Sequence, residues 1–524
     1  MKNIIQAISS KIKDQRSKIK IILWFFILAY ISYFSYFTVL RYKTLYASYY
    51  DLGIMNQVVY NSYMAIKTKD PSRLLELTDT DSSMQIKRMA IHNDPLLALL
   101  SVFYFIYKGP ETLLIIQTVV LALGALAVFK ITEFVFAKAK HVDFLALSFS
   151  LAYLFYSPMQ RANSFDFHAV VLATTFLLFM FYFFLKKRFV LSYLFFVLSL
   201  LSKEEVGLTT AFFGVYALFS NTTLLPLNRL KKPKKILQDI MKNHKNLIFS
   251  LIVIITSLVW FDLSVSVITP YFRGSHPFAL EYYGDFGDSP IRIIIGIFKN
   301  PYSIGKYIFR FDTFTYFLYL LGPLGFLSLF SPIQLLISLP ELAINLLSNN
   351  YNLRNVVFHY TSVIQPFVFI SAIYGARALT KFKSFSQNTK YLKTISLGIL
   401  IISFIFSYFK SPLPYSREAD IHPFKYPQIA YKEAEIWAAI LRDDNTKVST
   451  TGQLAPYFTM RRYFYIFSSN YIYADYVVLR PTEIYDYPEK HELIPVYNRL
   501  QKDTNFKLIY KSHELEVYKK IKAI

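Results

Sequence analysis

IILWFFILAYISYFSYFTVL, residues 21–40, runs directly into RYKTLYASYYDLG, residues 41–53. The first twenty residues carry no charge and match the roughly 20 apolar residues that a helix needs to cross a bilayer. The next thirteen end on a single carboxylate, Asp51, placed just outside that span behind Tyr46, Tyr49 and Tyr50. Apolar runs recur at Leu113 to Phe129, Leu247 to Ile268 and Thr394 to Phe409, in a chain of 524 residues that is 54% hydrophobic and only 17% charged. A soluble fold could not bury so many, so the chain reads as an all-α polytopic membrane protein.

Composition narrows the chemistry. There is no cysteine, which excludes a disulfide framework and any thiolate metal site. The formal net charge is +23, but in a membrane protein Lys and Arg first report which loops are cytoplasmic. The charge is therefore read as topology, with lipid headgroups and not nucleic acid as the partner of the cluster Arg229 to Lys245. The first apolar run is long and lacks a small-residue cleavage site after it, so it is expected to stay as a signal anchor.

The basic N-terminus, residues 1–20, places that end in the cytoplasm. Residues 41–110 then form a first external loop with amphipathic helices, including the run Leu52 to Ile66. Leu96 to Tyr107 is too short to cross comfortably and suits an interfacial position. If it does not cross, spans near 111–137, 143–157, 168–185, 189–202, 206–220, 247–270, 313–330, 332–347, 357–379 and 393–409 follow, about eleven with the first. Lys138 and Lys140, Lys186 to Arg188, Arg229 to Lys245 and Lys381 to Lys393 then all fall inside; if it crosses, they flip outside. The transmembrane unit covers 21–410. From about Ser411 the texture changes to mixed charge, and a helix at 432–442 with strands at 447–451, 474–479 and within 506–518 predicts a small external α/β domain over 411–524.

This register collects the unusual polar residues on the external side. Asp51 admits two readings: a cap for exposed helix N–H groups, or a general base for a hydroxyl. His92-Asn93-Asp94 and Asp166-Phe167-His168 each join an imidazole and a carboxylate at a helix start, either as caps or as ligands of a substrate or a divalent cation such as Mg or Mn, with Asp94, Asp166 and His168 as the metal candidates. Lys203-Glu204-Glu205 interrupts two short apolar runs, as a surface hairpin turn or a polar site. Glu341 sits within the apolar stretch Ile333 to Leu347 and should face a cavity or a partner on another helix. Arg273, His276, Arg354 and His359, with Tyr360 beside the last, are external groups suited to phosphate, or else ordinary loop residues.

In order, the pieces are YDLGIMNQVVYN (50–61), HNDP (92–95), FDFH (165–168), KEE (203–205), SLPELAINLLS (338–348), HYTSVIQPFVF (359–369), VSTTGQLAPYFTMRRYFYIF (448–467) and ADYVVL (474–479). Over about residues 20–480 this order resembles the membrane-protein family known as domain of unknown function 2079. That family resembles the membrane glycosyltransferases of the GT-C class, such as protein mannosyltransferases and the aminoarabinose transferase of lipid A. The resemblance implies a multi-pass enzyme of the cell membrane that moves a sugar from a polyprenyl-phosphate donor to an envelope glycan, lipid or protein outside the cytoplasm. It implies Asp51 as the catalytic acid of the first external loop, with His92, Asp94, Asp166, His168, Lys203, Glu204, Arg273, Glu341, Arg354, His359 and Tyr360 around the substrates. Many GT-C enzymes show two acids one residue apart, whereas Leu52-Gly53 follow Asp51 here. A transporter or flippase of a lipid-linked or anionic solute, and a non-catalytic scaffold, are the competing classes.

Overall fold

The computed structural model of the chain describes residues 2–137, 139, 142–220, 238, 240–380, 389–425, 429–486 and 490–521. Lys138, Lys140, Arg229 to Lys235, Lys381 and Lys383, on which the expected orientation leans, lie outside the described residues, as do the side chains of Lys2, Lys11 and Lys13.

Helix α1 (Lys2–Lys43) is longer than its apolar run and carries the span Arg16–Lys43. Beyond it the chain builds a cap: a π-helical turn at Tyr49–Gly53, α2 (Ile54–Thr68), a two-stranded hairpin of β1 (Glu76–Thr78) and β2 (Gln85–Lys87), and short α3 (Leu96–Leu100). The bundle follows with α4 (Pro110–Val135), α5 (Val142–Leu154), α6 (Ser157–Ser164), α7 (Ala169–Leu185), α8 (Phe189–Leu200), α9 (Val206–Phe219) and α10 (His244–Asp262). After shorter elements come α11 (Leu339–Leu347), α12 (Gln365–Leu379) and α13 (Thr389–Lys410).

Among the described residues four segments, Arg16–Lys43, Pro110–Val135, His244–Arg273 and Tyr391–Lys410, are each long and apolar enough to cross alone, five if the bent pair α5–α6 is one span, and the other expected spans fall on shorter helices. At 1.5 Å rise per residue, the 12 residues of α8 extend about 18 Å, well under the ~30 Å hydrocarbon core. Helices α8 and α9 therefore form a short hairpin with Lys203-Glu204-Glu205 at its tip. Leu96 to Tyr107 is likewise too short to cross alone. It buries Leu97, Leu100 and Tyr104 and leaves Leu99, Phe105 and Ile106 exposed, as an interfacial element would.

The bundle core joins α1, α4, α5, α7, α9 and α12. Aromatic rings fill it edge to face, Phe369 meeting Tyr153 and Tyr156 at 5.3 and 5.1 Å. Buried hydroxyls bond across helices, as from Ser150 to the Ala125 carbonyl (3.0 Å) and from Thr174 to the Ser362 carbonyl (2.8 Å), the device expected where lipid supplies no hydrophobic drive between helices.

The C-terminal unit is a five-stranded sheet in the order β4-β3-β5-β7-β6, from β3 (Val448–Thr450), β4 (Phe464–Ile466), β5 (Tyr476–Leu479), β6 (Phe506–Lys511) and β7 (Glu516–Lys520). Strands β4, β3 and β5 are parallel, and β7 and β6 are added antiparallel. This unit covers α2. Asn56 Nδ2 donates to Thr459 Oγ1 (2.9 Å), Gln57 Nε2 donates to the Arg462 carbonyl (3.0 Å), and Arg73 pairs with Asp444. The run expected to be an amphipathic external helix is consequently buried on nearly every side, its polar face satisfied by the sheet unit in place of water.

Helix α4 approaches α5 and α7 through Gly124, where a Cβ would strike the Tyr153 hydroxyl and sit 2.9 Å from Thr175 Oγ1. Gly124→Val is expected to cost about 1–3 kcal/mol by overpacking, read as a lowered unfolding midpoint of the detergent-solubilised protein.

Candidate functional site

The helices alternate in direction. The C-terminal ends of α1, α6, α8 and α10 and the N-terminal ends of α4, α7, α9 and α12 therefore meet at one end of the bundle. A cavity of about 630 Å³ opens there, beneath the cap. Its walls include Asp51, Arg88, His92, Asp94, His168, Lys203, Glu205, Arg273, Glu341, His359 and Tyr360.

Asp51 enters the cavity from the π-helical turn, an irregularity that recurs at functional sites; Leu45 just before it takes left-handed backbone (φ 63°) to turn the chain after α1. Its Oδ1 lies 3.0 Å from His168 Nε2, while His168 Nδ1 is 3.1 Å from the Asp166 carbonyl oxygen. Both ring nitrogens therefore face acceptors. The ring is held from behind, because Gln117 Oε1 accepts from the His168 backbone N–H (3.0 Å) and His359 stacks on it at 3.8 Å. Asp166 accepts from Arg41 Nη1 (3.1 Å) and from the Ser48 N–H (2.9 Å), so it ties the turn bearing Asp51 to the start of α7. Burial pushes the Asp51 carboxyl up, but the hydrogen bond and charge of His168, helped by Arg41, outweigh it and hold the group below the ordinary carboxylate range.

The second cluster lies across the cavity. His92 Nδ1 meets Glu204 Oε1 at 2.8 Å, and the Asn93 N–H donates to Glu204 Oε2 (2.9 Å). Burial alone would raise the Glu204 carboxyl, yet the charge and hydrogen bond of His92, with Lys203, bring it to about 2. Lys203 pairs with Glu205 at 2.6 Å. Burial disfavours its charge, but Glu205, Glu204 and Glu341 outweigh that and raise its pKa. Arg88 holds Asp94 with a fork of bonds at 3.1, 3.1 and 2.9 Å.

Three wall groups differ from these pairs. Glu341 is 3% exposed and its Oε2 has no hydrogen-bond partner. His359 Nδ1 is equally buried and unpartnered. Arg273 lies over the Phe278 ring (5.5 Å) and reaches the Ala90 carbonyl at 3.5 Å, with no carboxylate in ion-pair range among the described residues.

Some sequence candidates stand behind the wall. Asp166 and Glu204 act through His168 and His92. Arg354, read as a loop cation for phosphate, is buried and bonded to Asp312 (2.7 Å) and the Ser348 carbonyl (2.6 Å), so its donors are already used inside the fold. His276 is exposed and lines a separate surface depression. Sequence reasoning missed Arg88 and Arg41 as cationic partners, and Asp79, Tyr282 and Tyr283 as wall residues; only the spacing of Arg88 six residues before Asp94 hinted at a pair.

The candidate metal ligands do not converge. Among the described residues no group of three or more His, Asp or Glu side chains could hold a metal ion, and Asp94 and Asp166 are each engaged by an arginine. The residues in this arrangement do not fit a resident divalent cation.

A polar cavity at one end of an apolar helical bundle, capped by an α/β unit, defines a polytopic membrane protein with an appended soluble domain. The chain belongs to the family described as "Predicted membrane protein (DUF2079)", which matches residues 41–517. No curated relative matches it in sequence. Among solved structures it is similar to ArnT from Cupriavidus metallidurans bound to undecaprenyl phosphate, at 11% identity and a TM-score of 0.48, over 89% of this chain and 93% of that one. It is similar also to the oligosaccharyltransferase of Archaeoglobus fulgidus tethered to an acceptor peptide, at 12% identity and a TM-score of 0.48, over 95% of this chain and 74% of that one.

Arg88→Ala is expected to destabilise the protein by about 3–5 kcal/mol, because it leaves Asp94 buried without its partner. The double variant Arg88→Met with Asp94→Leu should recover most of that loss in the same unfolding measurement.

Proposed function

We propose that the chain is a membrane glycosyltransferase that transfers a sugar from a polyprenyl-phosphate donor to an acceptor on the extracytoplasmic side of the cell membrane. The observation that carries this reading is the make-up of one cavity: a half-buried carboxylate oriented by an imidazole, with an arginine in the same lining that has no carboxylate partner among the described residues. A transfer reaction of this type needs both, one to take a proton and one to receive negative charge.

In the proposed step the acceptor hydroxyl attacks the anomeric carbon of the donor. Its proton passes to Asp51 as the new C–O bond forms. The bond from the anomeric carbon to the phosphate oxygen breaks, and the polyprenyl phosphate leaves with the electron pair. Arg273 and Lys203 stabilise that departing phosphate, Arg273 through its fork of donors. His168 keeps Asp51 ionised and fixed in direction. Glu341 and His359, each with an open polar atom, meet hydroxyls of the transferred sugar, and Tyr360 packs beside them. His92 and Asp94 hold the wall that carries these groups. No step runs through a metal ion. The cavity faces the exterior if the basic loops of the opposite end are cytoplasmic.

The test is incorporation of labelled sugar from polyprenyl-phosphate donors into envelope material by membranes containing the protein. Asp51→Asn should lower the rate about 10²- to 10⁴-fold. Arg273→Ala should lose transition-state stabilisation of the phosphate of order 10²-fold or more. Full activity in Asp51→Asn rules out its role as base, and movement of a lipid-linked substrate across vesicles without a covalent product points to a transporter instead. His168→Gln removes the charge that depresses Asp51, so Asp51 takes up its proton at a higher pH. The acid limb of the kcat/KM profile should move upward relative to the parent.

A further inference from the structure

We propose that the cleft at the carboxyl ends of β3 and β4 is a saccharide-binding site, selective for neutral or amine-bearing sugars over anionic ones, that seats the acceptor. As the acceptor seat it rests on the transferase reading; as a binding site it stands alone.

In open α/β sheets, ligands bind beyond the carboxyl ends of parallel strands where the strand order reverses. Here β3 lies between β4 and β5, so the chain leaves β3 toward one neighbour and later returns on the other side. A cleft of about 410 Å³ opens at that point, lined by Thr451 and Gly452 after β3, Ser468, Ser469 and Asn470 after β4, and Glu483 after β5. Glu483 is 4% exposed and its Oε2 has no hydrogen-bond partner, although Oε1 accepts from the Gln453 N–H (2.8 Å). A buried carboxylate oxygen left open at a cleft wall is an acceptor for a ligand donor.

The lining fixes the ligand class. Asp81 and Glu492 face the cleft and no Lys, Arg or His does among its lining residues, which disfavours an anionic ligand; burial pushes the Glu483 carboxyl up to about 7, so it can donate to a hydroxyl as well as accept. These acids do not gather as a metal site among the described residues. Hydroxyls, an amide and carboxylates suit the many donors of a sugar, and the exposed ring of Tyr50 offers a face for its C–H surface. Tyr50, Thr80 and Asp81 also line the catalytic cavity. The two spaces share a wall, and Tyr50 directly precedes Asp51. A saccharide in the cleft therefore lies next to the wall that carries Asp51.

The test uses the full chain in detergent with three probes: a neutral chitooligosaccharide, its deacetylated amine form and an oligogalacturonate, followed by saturation-transfer NMR and calorimetry. The first two are expected to bind, the amine form roughly two- to fivefold more tightly, as partly exposed ion pairs allow, and the anionic probe not at all. Ser469→Trp, at an exposed rim position, should abolish binding without touching the core, and Glu483→Gln should weaken it. Absence of binding, equal binding of the anionic probe, or binding unchanged by Ser469→Trp overturns the proposal. Saccharide binding without sugar transfer from any lipid donor would remove the transferase reading and leave the site standing, whereas transfer without saccharide binding would do the reverse.

Discussion

A carboxylate taken out of water must find a positive partner or hold a proton, and the capped end of this bundle is built around that constraint. Asp51 meets His168, Asp166 meets Arg41, Asp94 meets Arg88, Glu204 meets His92 and Glu205 meets Lys203. The first, second and fourth of these pairs join segments more than a hundred residues apart. Each pair therefore fastens one helix end to another and fixes the cavity's walls. Where the pairing stops, Glu341 Oε2 and His359 Nδ1 have no hydrogen-bond partner and Arg273 no carboxylate partner among the described residues, which leaves polar atoms on the cavity wall for a ligand. Catalytic potential and structural cohesion come from the same set of charges.

The C-terminal unit is part of this arrangement. Arg462 pairs with Glu76, Arg73 with Asp444, and Tyr42 at the end of α1 stacks on Tyr457 at 4.6 Å. Apolar residues of α2 and α3 share one core with Tyr457, Phe458, Phe464 and Val478. The cap is thus sandwiched between bundle and sheet, with Tyr49 of the turn bearing Asp51 buried in the shared core.

Much of the architecture was legible in the apolar runs and in the switch to mixed charge near Ser411, because burial in lipid and a half-buried strand leave strong periodic signals. The lengths of the individual helices were not, since α8 and α9 are as apolar as the long spans yet shorter, and length along a helix is only fixed once its ends are known. Strand β4 and the β1–β2 hairpin have three residues per strand, below what alternation can reveal. Within the site, the positive-inside pattern grouped Asp51, His92, His168 and Lys203 at one end, and the cavity gathers these residues together with Glu341, expected from its apolar stretch to face a cavity or a partner. Pairing was invisible. Glu341 looked isolated along the chain although Lys203 lies near it in space, and Arg354 looked free although Asp312, 42 residues earlier, holds it.

The burial of α2 also sets the order of assembly. Asn56 waits for Thr459, 403 residues downstream, and at synthesis rates of ~5–20 residues per second that is a delay of roughly 20–80 s. During that interval the bundle can already be inserted while Asn56 and Gln57 lack the partners that the sheet unit supplies. The cleft at the carboxyl ends of β3 and β4 is complete only once Glu483 and Glu492 have been made.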